Sequence, residues 1–190
     1  GAITDASGTS ITVTNNGSFN AANAVTLNDT VTDVLSLGGI ASFSGSTVNV
    51  GQNGAFNAGS LNFNSGGAVT IQEDSGTALA GSNTASSLTL TSAGAITDGS
   101  TSLAVTGLAN FAGTAITVGG AGITTNFGTL TFNSGGAVII QEDSASALAG
   151  SNTAASLLLT SAGAITDSST SLSVTGLANF SGTAITVGGP

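Results

Sequence analysis

The chain contains no Lys, no Arg and no His, and it also lacks Cys, Met, Trp and Tyr. Each absence excludes a class of function. Without Lys or Arg no side chain can neutralise phosphate, so nucleic acid and anionic membrane surfaces are not expected partners. No side-chain salt bridge can form, and stability has to come from apolar burial and hydrogen bonds. Without Cys there are no disulfides, Cys–zinc centres or thiol nucleophiles. Without His or Lys a Ser hydroxyl has no ordinary base, and a phosphate-cradling glycine loop has no lysine to complete it. No apolar run is long enough to span a bilayer, so membrane insertion is not expected, and the first residues show no basic-then-apolar leader. No enzymatic activity and no cofactor are expected.

What is present is a 190-residue chain with nine Asp or Glu residues, a net charge of −9, 29 glycines and 40% apolar residues. That apolar content is too high for a disordered Gly/Ser chain. The sequence is also a repeat. Residues 61–121 align without a gap with residues 130–190, and 51 of the 61 positions are identical. SAGAITD recurs at Ser92–Asp98 and Ser161–Asp167, and TGLANF at Thr106–Phe111 and Thr175–Phe180. A weaker copy precedes them, matching Ala41–Gly67 to Ala109–Gly136 with one residue of slippage. The chain therefore divides into a divergent repeat (1–60), a full 69-residue repeat (61–129) and a truncated one (130–190).

Within a unit the period is 2. Leu88-Thr-Leu90, Ile116-Thr-Val118, Leu130-Thr-Phe132 and Val138-Ile-Ile140 alternate between inward apolar and outward positions, with Gly, Asn, Ser and Asp turns between them. No stretch sustains a helical period. Short strands combined with a long, near-perfect repeat predict an all-β parallel β-solenoid, a right-handed β-helix of about eight coils with the 69-residue repeat spanning about three. Inward Leu, Ile, Val and Phe would form ladders, and outward Thr, Ser and Asn would hydrogen-bond from coil to coil without charge.

The chain begins at GAITD and stops at AITVGGP, and both read as the middle of a repeat. The expectation is a slice of a longer solenoid or a subunit that stacks head to tail on copies of itself. TGLANFAGTAITVGG, GTLTFNSGGAVIIQEDS and LLLTSAGAITD resemble the strand repeats of large bacterial surface and secreted proteins such as the filamentous haemagglutinins and autotransporter adhesins. That resemblance implies export, an extracellular or cell-surface location, and a role as adhesin shaft, fibre or matrix. The alternative is a module that binds glycans or host surfaces, and more remotely a polysaccharide-active β-helix.

Charge in a nearly uncharged chain draws attention to AVTIQEDS and AVIIQEDS. Glu73, Asp74, Glu142 and Asp143 are weak calcium candidates; the competing reading is a solvated turn that keeps the rod soluble. Asp5, Asp98 and Asp167 each follow Ile-Thr and predict Asx turns. Asn28-Asp29-Thr30 fits a glycosylation sequon. The least repetitive segment, Asn28–Gly39, carries Asp29 and Asp33 and is the place to look for a binding function. Thr-x-Thr triplets raise ice binding, which the change from Thr89 to Leu158 between copies argues against. Thr70 becomes Ile139 and Thr89 becomes Leu158 at outward positions, making Ile139 and Leu158 candidates for lateral contact between filaments.

Overall fold

The computed structural model describes residues 1–188, so the last two residues of the truncated repeat lie outside it. It is a parallel β-solenoid: 21 strands join one continuous sheet, and none of the described residues is helical. The strand pairings between coils are parallel, as β-branched and aliphatic residues at a period of 2 dictate.

Each turn carries three pairing columns, which define three faces. The first face stacks Leu35, Phe56, Ile96, Ile116, Val138 and Leu157, with an acidic corner interrupting it after Phe56. The second stacks Phe19, Phe43 and Phe63, then Leu103 and Thr125. The third runs Ile3, Val25, Val48, Val69, Leu88, Ala109 and Leu130 and continues for two further turns through Asn152 and Leu172, giving nine turns where the repeat suggested about eight. The alternation is strict. In Val48–Val50 and Leu88–Leu90 the flanking residues are buried and the middle one points out.

The structure refines the repeat in a way sequence alone did not reveal. Three pairing steps carry Val69 through Leu88 and Ala109 to Leu130, but the copy of Val69 is Val138, which lies one face further along the chain. Val138 accordingly pairs with Ile116 and Leu157 rather than standing in the column of Val69. A repeat unit spans three and a third turns, and each copy is rotated by one face, so copy-equivalent residues do not stack upon one another.

The core between the faces is aliphatic and phenylalanine-rich. Phe19 stacks on Phe43 with ring centroids 5.3 Å apart and planes at 16°, and Phe43 meets Phe56 edge-on at 5.9 Å. The third face carries an unbroken outward column of Thr26, Asn49, Thr70, Thr89, Asn110 and Thr131. Thr89 and Leu158 belong to different faces, so the change between copies does not interrupt this column. The flanking columns are mixed, Ala68, Ser87, Leu108 and Thr129 on one side and Gln72, Thr91 and Ala112 on the other, which is not the two-column Thr plane an ice-binding array needs.

Two equivalent corners depend on glycine. Gly51 and Gly119 have φ of 75° and 76°, and a Cβ on either would stand 2.1 Å from the carbonyl oxygen of Gln72 or Gln141 on the next turn. Gly119→Ala is expected to cost at least ~1–2 kcal/mol in chemical unfolding followed by circular dichroism. Gly135→Ala, where a Cβ meets nothing within 4 Å, should stay within about 0.5 kcal/mol of the parent.

Candidate functional site

The acidic pair sits where a coil is short. Along the third face, the steps from Val48 to Val69 and from Leu88 to Ala109 are equal in length, whereas the step from Val69 to Leu88 is shorter and contains Glu73 and Asp74. Glu142 and Asp143 fall in the copy of that step, from Val138 to Leu157 on the first face, which is equally short. A short coil has too few peptide groups to meet every N–H of the turn beneath it, and an unmet buried N–H is costly. The carboxylates take the place of the missing carbonyls. Asp74 Oδ2 accepts the Phe56 N–H at 3.0 Å and Glu73 Oε1 accepts the Ala58 N–H at 3.0 Å. In the second copy Asp143 Oδ2 accepts from Thr125 N–H and Glu142 Oε1 from Phe127 N–H, each at 2.9 Å. Each short coil has a second repair: buried Asn83 and Asn152 receive the N–H groups of Phe63 and Phe132 through Oδ1, both at 2.9 Å.

This corrects the reading of the pair as a solvated turn. Asp74 and Asp143 are exposed, but Glu73 and Glu142 are each only 1% exposed. Their remaining acceptor capacity is also engaged, by the hydroxyls of Ser75 and Thr77 around Glu73 and of Ser144 and Ser146 around Glu142. The four residues proposed for calcium are thus occupied in holding the backbone ladder, and the structure does not gather them into one site.

Burial pushes the carboxyls of both Glu73 and Glu142 above the usual range, more strongly than the hydroxyl and N–H donors pull them down. The opposite holds for Asp33 and Asp167. Burial raises them too, but the summed hydrogen bonds, from Thr30, Thr9 and Gly8 to Asp33 and from Ser169 and Gly188 to Asp167, outweigh it and hold both low.

Of the three GAITD aspartates, two form the predicted Asx turns. Asp98 Oδ1 accepts the Ser100 N–H and Asp167 Oδ1 the Ser169 N–H, both at 2.9 Å, while their Oδ2 atoms reach Gly119 N–H and Gly188 N–H on the following turn. Asp5 reaches across to Asn28 N–H at 2.9 Å but makes no Asx turn. Its neighbours are Asp29 and Asp33, and one carboxylate oxygen from each of the three lies within 4.8 Å of the others. Sequence inspection marked Asp29 and Asp33 but left Asp5 among the turns. The signal was available, since Asp5 and Asp29 stand about one coil apart along the chain. Asn28 of the sequon is 0% exposed, so a glycan there is incompatible with the folded chain.

Ile139 and Leu158 point outward, as expected, and stack in register on the first face at 42% and 38% exposure. Leu177, 74% exposed, adjoins them and completes a strip that sequence reasoning did not identify.

A family model described as repeats of unknown function (DUF5649) matches residues 1–37 and 135–189. These stretches are repeat segments of the sequence, and together they make up slightly less than half of the chain. No curated protein and no solved structure matches.

The carboxylate shifts set a pH dependence. With folded-state pKa values raised above the ordinary 4.5, the contribution of Glu73 and Glu142 is fully present below about pH 4.5 and is lost as the pH rises through the raised values. Asp33 and Asp167 act in the opposite sense, their contribution being present above 3.8 and lost as the pH falls through their lowered values. Thermal unfolding should therefore show stability falling as the pH rises from 4.5 towards neutrality, and falling again as the pH drops below 3.8. Glu73→Gln with Glu142→Gln should flatten the decline above pH 4.5. Glu142→Ala, which strands the Phe127 N–H, should cost about 1–3 kcal/mol near pH 5.

Proposed function

We propose that the chain is a structural segment of an extracellular or cell-surface β-solenoid rod, acting through stiffness and association with further copies of itself. The observation that carries this reading is the parallel ladder over nine turns, in which side-chain acceptors bridge the breaks at the shortened coils. Additional coils, from the same polypeptide or from another copy, would extend the rod by the same ladder without new chemistry. Its resemblance to the strand repeats of filamentous haemagglutinins and autotransporter adhesins favours an adhesin shaft or matrix fibre. Lateral association would use the strip of Ile139, Leu158 and Leu177, where three exposed aliphatic side chains stand side by side.

A glycan-binding surface module is the second reading, and the unbroken Thr/Asn column on the third face favours it. Such binding would rest on hydroxyls and carboxamides, because the phenylalanines lie in or against the core.

Electron microscopy of concentrated protein, with X-ray diffraction from aligned material, tests the rod. Elongated particles about one coil stack wide with a reflection near ~4.8 Å along the axis are expected; uniform discrete monomers at all concentrations would sink the proposal. Ile139→Thr with Leu158→Thr restores the chemistry of the first copy, so bundling should weaken while the far-ultraviolet circular dichroism stays that of the parent. Unchanged bundling would remove the strip from the interface.

A further inference from the structure

The corner where the first two turns meet differs from its copies in a way that points to a bound ion. In Asp98 and Asp167 both carboxylate oxygens are satisfied, one by the amide two residues on and one by an amide on the next turn. Asp5 keeps only the second of these contacts, to Asn28 N–H, and its Oδ1 is buried with no hydrogen-bond partner among the described residues. This corner is also where Asp29 and Asp33 bring two further carboxylates within 4.8 Å. Asp33 is fixed in place, its oxygens holding the N–H groups of Gly8, Thr9 and Thr30 and the Thr30 hydroxyl.

A separate observation comes from Asn28. Its side chain is 0% exposed, yet neither Oδ1 nor Nδ2 has a partner among the described residues, and its backbone takes the left-handed conformation at φ 61°. It lies against the cluster, its own N–H on Asp5 and the next residue being Asp29. Gly54 on the following turn packs close over it; a Cβ there would stand 2.8 Å from Asn28 Oδ1 and 2.7 Å from the Thr30 carbonyl oxygen. Two buried oxygens without a donor, Asp5 Oδ1 and Asn28 Oδ1, beside three carboxylates in a chain with no Lys, Arg or His constitute a deficit of positive charge that a hard cation corrects.

We propose that Asp5 and Asp29, with Asn28 Oδ1, bind one calcium ion beside Asp33, whose buried charge adds to the attraction, and that the ion ties the first turn to the second. All donors are oxygen. Ligands on one calcium at 2.3–2.6 Å can stand up to about 5 Å apart, a spread that suits this corner better than the tight octahedron magnesium demands. Water completes the coordination on the exposed Asp29 side. The site is independent of filament formation and is distinct from the Glu–Asp corners, whose carboxylates serve the backbone.

Isothermal titration of chelator-treated protein with calcium chloride tests it. One saturable site with a dissociation constant of about 10⁻⁴–10⁻³ M is expected. Asp29→Asn, an exposed and nearly isosteric change, should weaken binding at least tenfold. Asp74→Asn, an exposed carboxylate outside the corner, should leave it within about twofold. Circular dichroism checks that each variant folds, and Asp5→Asn serves if Asp29→Asn does not. Absence of a saturable site below ~10 mM, equal loss in Asp74→Asn, unchanged binding in Asp29→Asn, or magnesium binding as tightly as calcium would each overturn the proposal.

Discussion

The whole molecule depends on one requirement: each N–H in the wall of the solenoid must find an acceptor on the adjacent turn. Where coils of equal length stack, as from Leu88 through Ala109 to Leu130, the backbone meets this requirement by itself. Where a coil is shortened, the ladder breaks at specific atoms, and buried polar side chains stand at those atoms. Glu73, Asp74 and Asn83 mend one short coil; Glu142, Asp143 and Asn152 mend the other. A carboxylate is an effective substitute because two oxygens at the end of a flexible stem can accept several donors at once. Its cost is desolvation, which is why hydroxyls surround each glutamate and why both remain raised in pKa.

The same requirement explains how a folded chain manages with so few ionisable groups. The inward columns supply apolar burial, and the outward Thr, Asn and Ser columns supply short polar contacts between successive turns, as in the Ser82–Ser102 and Ser151–Ser171 hydroxyl pairs at 2.7 and 2.6 Å. None of these contacts involves a net charge, so the wall carries little of the salt sensitivity that surface ion pairs confer.

The fold was legible because its cause is local. Alternation in Val48–Val50 or Leu88–Leu90, turn residues between strands and a long repeat suffice to specify a β-solenoid, and the two Asx turns at Asp98 and Asp167 follow from neighbouring atoms in sequence. What escaped was non-local. The burial of Glu73 is determined by the length of its coil relative to the one beneath it, and nothing in QEDS itself records that length. The gathering of Asp5 with Asp29 and Asp33 required knowing how many residues make a turn at that level. Leu177 was overlooked because its exposure depends on which column of the first face it occupies.

The one-third turn by which each copy overshoots its predecessor acts as a vernier. Two nearly identical copies, one of 69 residues and one truncated to 61, are wound onto the rod out of phase, so that Val69 rests on Leu88 while Val138 rests on Leu157 and Ile116. A side chain is therefore held against neighbours from elsewhere in the unit instead of against its own duplicate. Cross-β aggregates are built the other way, with identical segments piled in register. By winding its copies out of phase, this chain keeps the economy of a repeated sequence while denying it the self-recognition on which such aggregates grow.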